Sequence, residues 1–83
     1  MAVFFHPHAK DRLKERGATE AEVITTVEKG EQFPAKLGRT GFRYNFPFNS
    51  RWRGEHYNTK QLEVYAVPED KDWLVITIIT RYY

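Results

Sequence analysis

The sequence predicts an α+β fold, with two N-terminal helices packed on a three- or four-stranded, mainly antiparallel sheet. Three observations predict it. Pro7, Gly17, Thr19 and Gly30 punctuate a helical first third, and the hydrophobic period changes to two from residue 31. The last run, Trp73 to Thr80, is apolar on both faces. At 83 residues the chain has room for one domain, residues 1–83, with one modest core and a surface site rather than a buried cofactor.

After a short apolar opening, Ala2 to Phe5, Pro7 suits the first helical position and Gly17 the left-handed residue that follows a last turn. Thr19 with Glu22 three residues later is a capping box, and Gly30 closes the second helix. Ala21, Val23, Ile24 and Val27 give that helix an apolar stripe. Glu31 to Lys36 reads as a weak strand that Pro34 restricts to an edge or excludes. Residues 37–41 turn, and Phe42 to Phe46 alternate as a strand that Pro47 ends. Residues 49–58 are polar and read as a loop. Lys60 to Val67 alternate again, residues 68–72 turn, and Trp73 to Thr80 reads as a central strand. The expected core includes Val23, Ile24, Val27, Leu74, Ile76 and Ile78.

One histidine and two arginines, His8, Arg12 and Arg16, recur every four residues along the first helix. At about 100° per residue they fall within a sector of about 80°, flanked by Ala9 and Leu13. The row therefore borders the core. In the first turn the helix dipole disfavours imidazolium, so His8 is expected to stay neutral and able to accept a proton. The competing reading is a solvated surface turn with ordinary ion pairs to Asp11 and Glu15.

Net charge is only +2, but residues 36–60 hold six Lys/Arg against one acidic residue. Arg43, Arg51, Arg53 and Lys60 there are interleaved with Trp52, Tyr57 and other rings, and His56 lies among them. Phosphates need cations and unstacked bases need flat apolar faces, so these residues are candidates for binding single-stranded RNA. A half-buried strand with rings inward and arginines outward looks the same.

The absence of cysteine excludes disulfides, thiolate zinc sites and a cysteine nucleophile, and fits a cytoplasmic protein. Neither a signal peptide nor a membrane-spanning run is present, so no membrane partner is expected. With no HExxH helix and only His6, His8 and His56, no metal or other cofactor is expected.

The run His8-Ala9…Arg12…Arg16-Gly17, the capped helix from Thr19 and the closing strand Val75-Ile76-Thr77-Ile78-Ile79-Thr80-Arg81-Tyr82 resemble the small bacterial and phage proteins grouped as domain of unknown function 4258. That family is similar to the RelE/BrnT-like toxins and, through them, to metal-independent ribonucleases. The resemblance implies a RelE-like fold and a toxin-type protein acting on RNA, ribosome-bound RNA included, as an endoribonuclease with a cognate antitoxin. It places the family's signature positions on His8, Arg16 and Thr80.

Cleavage without metal uses the 2′-hydroxyl as nucleophile and asks the protein for a base, a cation and an acid. His8 is the candidate base or acid, Arg12, Arg16 or Arg43 the charge stabiliser and Thr80 the phosphate-orienting group. His56 or Tyr82 would be the second proton-transfer group. The alternative is a catalytically silent RNA- or protein-binding module, such as a phage accessory protein. A basic groove shared by His8 and a second acid–base group discriminates the two.

Overall fold

The computed structural model describes residues 2–83. In chain order it forms β1 (Val3–Phe5), α1 (Pro7–Arg16), α2 (Glu20–Lys29), β2 (Glu31–Pro34), β3 (Thr40–Trp52), β4 (Glu55–Glu69) and β5 (Asp72–Tyr82). The strands make one sheet in the order β1-β5-β4-β3-β2. Every pairing is antiparallel except β1 with β5, which run parallel in the register Val3 to Trp73 and Phe5 to Val75. The sheet is therefore five-stranded and mixed, not three- or four-stranded. The added strand is the apolar opening, whose partner lies some seventy residues away and leaves no local signal.

Both helix boundaries follow their expected chemistry. Pro7 opens α1 and Gly17 closes it at φ 70°. His6 caps the start, its Nδ1 accepting from the His8 backbone N–H at 3.1 Å. In α2, Thr19 and Glu22 complete the capping box in both directions. The helices bury Ala9, Leu13, Ala18, Val23 and Val27 on one sheet face, against Phe42, Leu62, Val64, Ala66, Val75 and Ile78. Ile24, Leu74 and Ile76 are only half-buried. Leu74 alternates with buried Val75, and Ile76 sits at a bulge where Tyr65 pairs Thr77 but Ala66 pairs Val75. The centre of the sheet is β4, with β5 beside it.

Residues 49–58 are not a loop. β3 continues through Pro47 to Trp52, and β4 starts at Glu55, around a two-residue turn with Arg53 at φ 51° and Gly54 at φ 87°. Positive φ at both turn positions is the mirror-image turn that matches strand twist. Pro47 is tolerated because β2 pairs only residues 40–43, leaving the outer side of β3 without a neighbour beyond them. The register shifts between Pro47 and Ser50, with Asn49 at φ 45°. The resulting arm extends the molecule to 41 × 24 × 22 Å.

Candidate functional site

The end of α1, the tip of the arm and the end of β5 enclose an open cleft of about 350 Å³, lined by Glu15, Arg16, Trp52, Arg53, Thr80 and Tyr82. Gly17 makes the approach feasible. A Cβ there would lie 2.5 Å from the Tyr82 hydroxyl and 2.7 Å from the Trp52 ring. Thr80 and Tyr82 both donate their hydroxyl protons to the Arg16 carbonyl, each at 2.9 Å, and so fasten the last turn of α1 to the sheet. Tyr82 is also the hub of an aromatic group, stacked on Trp52 at 5.1 Å and contacting Phe48 and Tyr57. Arg53 closes the arm onto the helix, its Nη2 donating to the Glu15 carbonyl at 2.9 Å while its guanidinium lies 5.2 Å over the Trp52 ring.

Two arginines, Arg16 and Arg53, and one carboxylate, Glu15, line the cleft. Neither Arg16 nor Arg53 forms an ion pair among the described residues. The Arg16 Nε is buried without a hydrogen-bond partner, a costly state for a charged donor. Burial pushes the Tyr82 phenol above its ordinary value of 10.0 and outweighs the lowering effect of the neighbouring Thr80 hydroxyl, while the lesser effects of the Glu22 and Arg53 charges oppose each other. The phenol therefore stays protonated near neutral pH.

The cleft gathers Arg16, Thr80, Trp52 and Arg53 from the sequence-derived candidates, with Tyr57 behind it against Tyr82. His8 is elsewhere. It is exposed in the first turn of α1, its ring parallel to His6 with centroids 5.2 Å apart, and eight residues of helical rise place it about 12 Å along the axis from Arg16. Arg12 is half-exposed and paired to Glu15 at 3.2 Å. Arg51 and His56 pair across the arm, and the pleat turns them away from the face that carries Trp52 and Tyr57.

Two further candidates are engaged within the protein. Lys60 is buried, its ammonium 2.8 Å from a Glu22 carboxylate oxygen and 2.9 Å from the Gly17 carbonyl, so it has no free face for phosphate. Arg43 lies on the sheet face without helices, paired with Glu63 at 3.0 Å and Glu31 at 3.3 Å. Arg81 also reaches Glu63, at 2.8 Å. Burial alone would raise the Glu63 carboxyl, but hydrogen bonds from Arg81, Arg43 and Tyr65 outweigh it and hold the group below 4.5.

Sequence reasoning misses Glu15 as a cleft residue and the clamping role of Tyr82. The signal is Gly17, whose missing side chain serves a close approach as well as a helix cap. Among the described residues no three histidine, aspartate or glutamate side chains gather as a metal-ligating group, and no helix is long and apolar enough to cross a membrane. No curated protein and no solved structure matches the chain. A family model does match, over residues 5–80, from the last residue of β1 to the threonine that clamps α1, and the chain belongs to that family, the domain of unknown function DUF4258.

Proposed function

We propose that the protein is a RelE-like, toxin-type protein that binds single-stranded RNA in the cleft between α1 and the arm. The observation that carries this reading is the pairing of two arginines free of carboxylates, Arg16 and Arg53, with the Trp52 ring in one concavity. A phosphodiester pairs with the guanidinium groups of Arg16 and Arg53, and a base on the indole replaces the Arg53 guanidinium, which moves to phosphate. The family resemblance supplies RNA as the nucleic acid, ribosome-bound RNA as a target and a cognate antitoxin as protein partner, and the cysteine-free sequence fits the cytoplasm as the compartment.

The test is the salt dependence of binding to a labelled oligouridylate. Arg16→Gln with Arg53→Gln is expected to flatten the log K against log salt slope by about 0.7 for each phosphate that is no longer neutralised. Binding that is absent at low salt, or a slope unchanged in the double variant, overturns the proposal.

Cleavage is the second reading, favoured by the same two guanidinium groups, which suit the charge of a phosphorane. Two facts weigh toward binding without cleavage. His8 is remote from the cleft, and the protons of Thr80 and Tyr82 are already given to the Arg16 carbonyl. RNA cut in EDTA by the wild type but not by Arg16→Gln, together with growth arrest on expression, establishes the nuclease.

A further inference from the structure

A second concavity lies on the opposite face of the sheet, where no helix packs. Its volume is about 490 Å³, within the usual range for sites that take small molecules. Phe33 from β2 and Tyr65 from β4 form an edge-to-face pair at its base, with ring centroids 6.1 Å apart. The Phe33 ring lies over Gly41, where any side chain would collide with it, and the Arg43 guanidinium sits 4.6 Å from the ring centroid. The aromatic base is therefore fixed in place from two sides.

The rim is the connection from Lys36 to Arg39. It is shaped by hydrogen bonds from the Ala35 N–H to the Arg39 carbonyl and from the Arg39 N–H to the Lys36 carbonyl. It holds Leu37 at φ 61°, an unusual conformation for a leucine, with 85% of the residue exposed. Lys36 and Arg39 flank the apolar cavity and form no ion pair among the described residues. The nearby carboxylates do not neutralise them, because Glu31 is held by Arg43 and Glu63 by Arg43 and Arg81. Thr77 adds a hydroxyl to the wall.

An aromatic base, an exposed leucine above it and two unpaired cations at one rim call for a flat ring joined to an anion. We propose that this concavity is a nucleotide site, taking a nucleobase between Leu37 and the Phe33–Tyr65 pair with its phosphate on Lys36 and Arg39. The site is separate from the α1 cleft and stands independently of the RNA reading given to that cleft. Its ligand comes either as a free mononucleotide or as the phosphorylated end of a strand, and both present the same chemistry.

The test is titration of the full chain with AMP, adenosine and inorganic phosphate, followed by amide chemical shifts. AMP is expected to shift the amides of residues 33, 35–39, 65 and 77, and to bind at least about tenfold more tightly than adenosine or phosphate alone. Lys36→Gln with Arg39→Gln, both at the rim, is expected to weaken AMP by about tenfold or more. Lys10→Gln, on the exposed side of α1 and outside both concavities, is expected to leave AMP binding unchanged. A 5′-phosphorylated tetranucleotide that displaces AMP with higher affinity identifies a strand end as the source, and one that binds more weakly identifies the free nucleotide. No AMP-dependent shift at millimolar concentration, shifts confined to the α1 cleft, or affinity unaffected by the double variant overturns the proposal.

Discussion

The hydroxyl of Tyr82 lies 2.9 Å from the carbonyl oxygen of Arg16, so the end of the last strand holds the end of the first helix. Thr80 uses the same acceptor. The side chain of Arg16 is aimed from a backbone that two donors fix, and the contact between these two residues governs whether the cleft has a defined shape.

Tyr82→Phe removes one of the two donors and keeps the ring stack on Trp52. A loss of about 0.5–1.5 kcal/mol is expected in urea unfolding, the usual net worth of one hydrogen bond, with Thr80 still in place. Thr80→Val with Tyr82→Phe is expected to lose more than either alone and to weaken RNA binding, because the Arg16 carbonyl is then left without both hydroxyl donors.

Gly17→Ala tests the close approach. It places a side chain at φ 70° and within 2.5 Å of the Tyr82 hydroxyl, so Trp52 and Tyr82 must both retreat. The expected cost exceeds the roughly 1 kcal/mol of a left-handed alanine alone, and the fluorescence of Trp52 should change with it.

Lys60→Met separates a structural lysine from an RNA-binding one. It leaves Glu22 facing the sheet without its ammonium, and breaking such a pair costs about 3–5 kcal/mol when fully buried, less here because Glu22 is partly exposed. Where the variant is folded, its salt slope for RNA is expected to match the wild type, unlike that of Arg16→Gln.

Glu63 sets an acid dependence. Its carboxyl is held below 4.5 in the folded protein, so its contribution is fully present above the unfolded value and lost as pH falls through the folded one. Urea midpoints of the wild type and Glu63→Gln are expected to differ most near neutral pH and to converge on acidification. A difference that stays constant down to about pH 3 contradicts the assignment.

Features written in neighbouring residues are legible in the sequence. Pro7 with Gly17, and Thr19 with Glu22, set both helices, and Pro34 confines β2 to an edge. What the sequence hides is whatever depends on a distant partner. β1 has no strand signal until β5 lies beside it, and Lys60 looks like any alternating strand cation until Glu22 and Gly17 close over it. Arg43 and Arg51 look equivalent to Arg53, yet the pleat and the sheet register send them to other faces. The arm reads as a loop because Pro47 and a polar composition hide a two-residue turn at Arg53 and Gly54. Much of the cleft is legible, through Arg16, Thr80, Trp52 and Arg53, but not its separation from His8.

The parallel pairing of β1 with β5 imposes an order of events on a chain leaving the ribosome. The first of the seven elements to emerge has its sheet partner in the last, and α1 packs on that same late strand. Until β5 is free of the exit tunnel, β1 has no neighbour, Arg16 has no clamp and the cleft has no third wall. The partly made chain therefore lacks the cleft, which takes its shape only when the final strand docks.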